Sequence, residues 1–191
     1  MTSPSPGVAA DPDDPRCAAL MASDEMEPIA GTVDVDLPID TLWELFKVPN
    51  AWPSWNGCFF WAHNRSLERG RQLVWIFQPI RWWMLYKMPA MAKIVELVEE
   101  PTRRLVTWKV VILPGFYARH TYHLEALDSA RTRFGSWEKA QGFSFRCLRR
   151  FWTAHFTFVR DASLAGARAL ADRAVDPLTA GGLPVDRARS G

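Results

Sequence analysis

The sequence predicts an α+β fold: an antiparallel sheet of about seven strands, two short helices after the first strand, and one long C-terminal helix. Three observations carry this. Between residues 58 and 142, six stretches of strand character follow one another, separated by short turns, and short links between successive strands favour antiparallel pairing. After Gly142 the apolar period lengthens to that of a helix and holds for more than 20 residues. The 10 Trp and 11 Phe against 3 Tyr exceed what a small core needs, and rigid rings also make good walls for an apolar cavity.

The elements follow in order. In Ile29–Leu37, the residues Gly31, Val33, Val35 and Leu37 alternate with Asp34 and Asp36, the pattern of a half-buried strand. Ile39, Leu42, Trp43 and Phe46 then take helical spacing. Asp40 lies in the first turn, where a carboxylate meets the positive end of the dipole, and Pro49 stops the helix. The turn-rich Asn50–Gly57 has room for a second short helix. Strands are expected at Cys58–Asn64, Gln72–Gln78, Lys93–Glu99, Leu105–Ile112, Tyr117–Leu127 and Thr132–Gln141. Glu68–Gly70, Glu99–Pro101, Pro114–Gly115 and Asp128–Ser129 are the turns between them. Leu148, Trp152, His155, Val159, Ala162, Gly166 and Leu170 form the stripe of a single terminal helix.

The flanks read differently. Residues 1–27 hold four prolines and little periodicity, a composition expected of a disordered leader. Residues 28–174 are expected to form the ligand-binding domain, and 175–191 a flexible tail. Through residue 28 the chain carries Asp11, Asp13, Asp14, Asp24, Glu25 and Glu27 against Arg16, a net of −5, which leaves +7 on the remainder of a chain totalling +2. The remaining cations are scattered rather than gathered into a basic stripe, which argues against nucleic acid as a partner. Cys17, Cys58 and Cys147 are odd in number, far apart and without a CxxC pair, so neither a disulfide framework nor a zinc site is expected. A basic-then-apolar signal segment is lacking at the N-terminus, and no apolar run approaches 18 residues. A cytoplasmic location is the default expectation.

Several local motifs share one family resemblance. Asp40-Thr-Leu-Trp-Glu-Leu-Phe46 followed by Trp52-Pro-Ser-Trp55 resembles the helix pair of the START-like, or SRPBCC, superfamily, which includes polyketide cyclase/dehydrase proteins. Arg104-Leu-Val-Thr-Trp108 resembles its "R-L-x-W" strand. His120-Thr-Tyr-His-Leu-Glu125, then Thr132-Arg133, Glu138 and Gly142, resembles its last strand pair. The resemblance covers roughly residues 28–173 and implies the helix-grip fold, in which the sheet curves around the terminal helix and its concave face lines a cavity. The superfamily spans enzymes, carriers and receptors, so the fold alone does not select a function.

Strand alternation nominates the lining. Taking the faces that bear Trp108, Tyr122 and Phe134 as inward, the expected ligand-binding residues are Trp75, Val106, Trp108, Val110, Tyr122 and Phe134, joined by Trp152 and His155 from the terminal helix. Arg119, Thr107, Lys109, Arg133, Trp137 and Lys139 then point outward. On this register His120 and Glu138 face one cavity from adjacent strands. Such a pair can serve as general base and orienter for enolisation, cyclisation or water loss, or simply brace two strands as a satisfied polar pair. His120 and His123 cannot share a metal from one flat strand, because i and i+3 point to opposite faces. Neither a metal nor a cofactor is expected.

Pro79–Pro89 combines aromatics and Met with Arg81 and Lys87. It suits an extension of the strands, a lid, a dimer contact, or a patch for peripheral membrane contact. The functional expectations are binding of an apolar aromatic, polyketide-like or lipid molecule, with or without cyclisation or dehydration. A non-catalytic lipid carrier or membrane-peripheral protein is the alternative, and an interaction module whose leader binds a partner is the third. Oligomeric state is left open.

Overall fold

A computed structural model describes residues 26–64, 66–78, 87–110 and 115–175. Strand β1 (Ile29–Val35) leads into helix α1 (Ile39–Phe46), a 3-10 turn at Pro49–Ala51 and the one-turn helix α2 (Trp52–Trp55). The meander follows: β2 (Phe59–His63), β3 (Gln72–Phe77), β4 (Met88–Glu100), β5 (Arg103–Val110), β6 (Tyr117–Ala126) and β7 (Thr132–Gln141). Helices α3 (Phe143–Cys147) and α4 (Arg149–Val175) complete it.

All seven strands join one antiparallel sheet in the order β1-β7-β6-β5-β4-β3-β2, curled into a half-barrel around α4. This is the helix-grip fold. β1 bridges chain start to chain end by pairing Ile29 with Glu138 and Val35 with Thr132. Thr132 Oγ1 donates to the Leu37 carbonyl at 2.7 Å and fixes the exit from β1. α1 buries Ile39, Leu42, Trp43 and Phe46, as its spacing predicts. Its exposed Asp40 receives Arg104 Nη2 at 2.6 Å. Pro49 opens the 3-10 turn that follows α1.

Two boundaries differ from expectation. β4 begins at Met88 rather than Lys93 and passes through Pro89. Pro89 sits opposite Ile76 of β3, and the described pairing with β5 runs from Ala92 opposite Val110. The terminal helix is two helices, broken at Leu148, whose φ of −118° and ψ of 29° leave the α region. Phe145 is buried whereas Phe143 and Leu148 are exposed, so the first segment is anchored by its own residue rather than by the stripe of α4. Gly142, at φ +106°, turns the chain between β7 and α3, and a Cβ there would meet the Gly115 carbonyl. The expectations for 1–25, for most of 79–89, for 111–114 (with Ile112) and for 176–191 fall on residues outside those described.

Candidate functional site

The interior between the sheet and α4 is the apolar centre of the molecule. Trp52, Trp75 and Trp108 contact one another in a chain with ring centroids 5.7 Å apart at each step, and Phe46 lies edge-on to Tyr122 at 5.3 Å. These rings fill the interior more than they wall it. The space they leave amounts to about 20 Å³, enough for about one water molecule. Composition predicted rings walling a cavity for a small molecule; close packing of the indoles leaves only this small space.

That small space is where the polar groups gather. Register places His120 directly opposite Glu138, and His120 Nδ1 lies 3.0 Å from Glu138 Oε2. Both are buried, at 3% and 6% exposure. Trp108 stacks on the imidazole at 5.3 Å with a 10° interplanar angle, and Ser136 Oγ sits 3.4 Å from Nε2. Ser136, His120 and Glu138 therefore run in the order of a nucleophile, base and orienter. Ser136 is absent from the walls of the space, so it bears on the ring's position rather than on anything held there.

A second polar group stands beside the first. Tyr122 Oη and Ser163 Oγ are 2.6 Å apart, and Asn56 Nδ2 donates to Ser163 Oγ at 2.9 Å. Asn56 Oδ1 in turn accepts the Cys58 backbone N–H at 3.1 Å. Burial pushes the Tyr122 hydroxyl and the Cys58 thiol well above their ordinary ranges, so both are protonated at neutral pH. From α4, His155 meets Phe77 edge-on at 4.6 Å. Burial, assisted by the charge of His120, lowers its pKa to about 4, which leaves the imidazole neutral at pH 7.

Of the residues nominated from sequence, His120, Glu138, Trp75, Trp108, Val110, Tyr122 and His155 border the space. Val106, Phe134 and Trp152 are buried but stand away from it. Phe134 packs against Phe46 and Tyr122, Trp152 against Phe116 at 4.4 Å, and Val106 lies beside Tyr122 and Leu97. Sequence reading missed Phe59, Phe77, Phe116, Ala118, Phe156 and Val159. Two of these were within reach of the same alternation: Ala118 precedes His120 by two on one strand face, and Phe77 follows Trp75 by two. Val159 and Ser163 follow His155 at successive helical steps of four. Asn56 carried no signal, since a turn residue's tertiary partner is not periodic.

His123 points to the opposite face of the sheet from His120, against Gly135, and His63 stacks on Trp61. Among the described residues no group of three His, Cys, Asp or Glu is placed to hold a metal. No described helix is long and apolar enough to cross a membrane.

Neither a protein-family model nor a curated protein matches the sequence. Solved structures do match by shape. The Zhui aromatase/cyclase from Streptomyces sp. R1128 aligns with a TM-score of 0.63 at 16% identity, covering 82% of this chain and 99% of its own. A norcoclaurine synthase point mutant from Thalictrum flavum, in complex with a transition-state analogue, aligns at 0.59 with 15% identity, over 78% and 96%. A START superfamily protein from Mycobacterium smegmatis aligns at 0.52 with 13% identity, over 75% and 98%. At these identities the likeness shows the fold alone: the chain has the helix-grip fold that these structures share.

Proposed function

We propose that the chain binds an apolar, aromatic small molecule in the sheet–helix interior and that His120 with Glu138 exchanges a proton with it, in a cyclisation or dehydration that needs no cofactor. The observation that carries this reading is the buried His120–Glu138 pair, 3.0 Å apart, on the wall of an otherwise aromatic space. Replacing such a buried polar pair by apolar residues of similar volume is often neutral or stabilising, so stability alone does not account for it and a chemical role is favoured. Trp75 adds support: its indole N–H is buried with no acceptor among the described residues, and a ligand oxygen could supply one. The shape matches to an aromatase/cyclase and a norcoclaurine synthase are in keeping with ring-forming chemistry. Drug-sized ligands occupy roughly 300–1,000 Å³, so binding on this reading displaces side chains such as His155 and Phe77. Free Cys58 and Cys147 fit the reducing cytoplasm, where we place the protein.

Calorimetric titration with 2-naphthol tests the binding step. Saturable binding is expected, lost in Ala118→Trp, which fills the space. Absence of binding to the unsubstituted chain counts against the reading. Base-catalysed opening of 5-nitrobenzisoxazole then tests the chemistry: a rate that disappears in Glu138→Gln supports proton transfer, whereas binding without such a rate leaves a binding protein only.

A second reading, a lipid carrier or membrane-peripheral protein, has its own observation. Phe60, Trp61, Val74 and Met91 are exposed near one edge of the sheet, and Lys87 sits over the Phe60 ring at 2.9 Å. Aromatic and basic groups together suit a lipid interface. Flotation with anionic liposomes that persists unchanged in Phe60→Ala plus Trp61→Ala argues against it.

A further inference from the structure

Two buried donors on the wall of the interior space have no hydrogen-bond partner among the described residues. Trp75, 2% exposed on β3, carries an indole N–H without an acceptor. His155, 2% exposed on α4, touches the rings of Phe77, Phe151, Trp152 and Phe156, and no described residue bonds to its imidazole. Buried polar groups are nearly always partnered, and each exception calls for an explanation. Trp55, Trp137 and Trp152 also have unpartnered indole N–H groups, yet none of the three borders the space, whereas Trp75 and His155 both do.

The surrounding rings set these donors against the proton-exchanging pair. Phe77 lies between Trp75 and His155, edge-on to both, with centroids 5.7 Å and 4.6 Å away. On its other side Trp75 meets Trp108 at 5.7 Å, and Trp108 stacks on His120. These rings all line one space, with Glu138 beside His120. A ligand that presses Phe77 aside therefore enters between the two donors and shares a wall with His120.

We propose that the Trp75 Nε1–H and the His155 imidazole are an oxyanion-binding pair, and that the ligand is an aromatic compound bearing a carbonyl beside an acidic C–H. This rests on the reading of His120 and Glu138 as a pair that exchanges a proton with the ligand. In the step, that pair takes a proton from the carbon next to the carbonyl. The C–H electron pair becomes the new C=C bond, the carbonyl π pair moves onto oxygen, and the two N–H groups hold the enolate oxygen. Return of a proton to carbon reverses the step, so nothing is oxidised or reduced. Fixed donors aimed at developing charge in a water-poor site act without reorganisation. His155 suits this role because burial and the charge of His120 oppose its protonation, which keeps it a neutral donor rather than a rival acid.

Deuterium exchange into the methyl group of 2-acetylnaphthalene, followed by NMR in heavy water with the full chain, tests the step. Trp75→Phe and His155→Phe are each expected to lower kcat for exchange by roughly 100-fold with little change in KM. His155→Gln, which keeps an N–H, should recover most of that loss, and Glu138→Gln should abolish exchange. Infrared difference spectroscopy of the compound, isotope-labelled at its carbonyl carbon and bound to the unsubstituted chain, needs no variant to fold. Its C=O stretch is expected at or below the frequency found in water, as two hydrogen bonds require. A stretch at the frequency found in hexane overturns the oxyanion pair. So does exchange that is unchanged in Trp75→Phe and His155→Phe but abolished in Glu138→Gln, which leaves the proton-exchanging pair standing. A lowered stretch without exchange supports the donor pair and overturns the role of His120 and Glu138 instead. Failure of 2-acetylnaphthalene to bind overturns both.

Discussion

Acidification should weaken this protein through His155. The residue is 2% exposed on α4, wedged edge-on against Phe77 and next to Phe151, Trp152 and Phe156. The charged group acting on it is His120, and burial with that charge holds its pKa at about 4, against about 6.5 in the unfolded chain. Because the unfolded state then binds more protons, stability rises with pH; the contribution is fully present above about pH 6.5 and is lost as pH falls toward 4. Linkage over those two values gives a loss of about 2 kcal/mol between pH 7 and pH 5, and about 3 kcal/mol by pH 4. His155→Gln removes the titration while keeping a neutral polar side chain. Scanning calorimetry at pH 7 and pH 5 on both proteins isolates the effect, since carboxylates elsewhere titrate in both. For a domain of this size, the wild-type Tm should fall roughly 4–8 °C further than the variant's. Parallel Tm–pH curves would show that His155 is solvated or paired in solution, and the reasoning from burial would fail.

Three further outcomes follow from the site. Glu138→Ala leaves an imidazole buried without its partner and should cost about 3–5 kcal/mol in urea unfolding, whereas the double variant His120→Leu plus Glu138→Leu should come within about 1–2 kcal/mol of wild type. A double variant as unstable as the single one would make the pair a structural brace. Ser163→Ala strips the node shared by Tyr122 and Asn56 and should cost about 1–3 kcal/mol by the same measurement, with Tyr122→Phe in that background adding little. Gly166→Ala should destabilise by about 1–3 kcal/mol despite alanine's better helix propensity, because the added Cβ would lie 2.5 Å from the Trp55 carbonyl oxygen. A gain in Tm there would mean that α4 is free to shift away from α2.

Much of the fold was legible because its signals are local and periodic. The alternation in Ile29–Leu37, the helical spacing of Ile39 to Phe46 and the stripe from Trp152 to Leu170 each report one face of one element. The His120–Glu138 alignment was legible for the same reason: two inward strand positions on either side of a short turn meet if the register holds, and it does. What failed to show lies in tertiary packing. Composition cannot tell whether Trp52, Trp75 and Trp108 enclose a chamber or stack into a nearly solid core. Alternation sends Thr107, Arg119, Thr121 and Lys139 outward correctly, yet their burial depends on what covers the sheet. The Asn56–Ser163–Tyr122 node joins a turn, a helix and a strand across 107 residues of sequence, a separation at which no window of periodicity has reach. The break at Leu148 was hidden by the continuous helical propensity on either side of it.

Whether the interior beside His120 and Glu138 takes an apolar molecule is tested most directly by native mass spectrometry of the full chain, as purified and after incubation with 2-naphthol, compared with the denatured mass. The expected result is a bound small-molecule mass that vanishes on denaturation and is missing from Ala118→Trp. A bare chain mass under both conditions would contradict it, and would leave His120 and Glu138 as a polar pair inside a core that admits nothing larger than water.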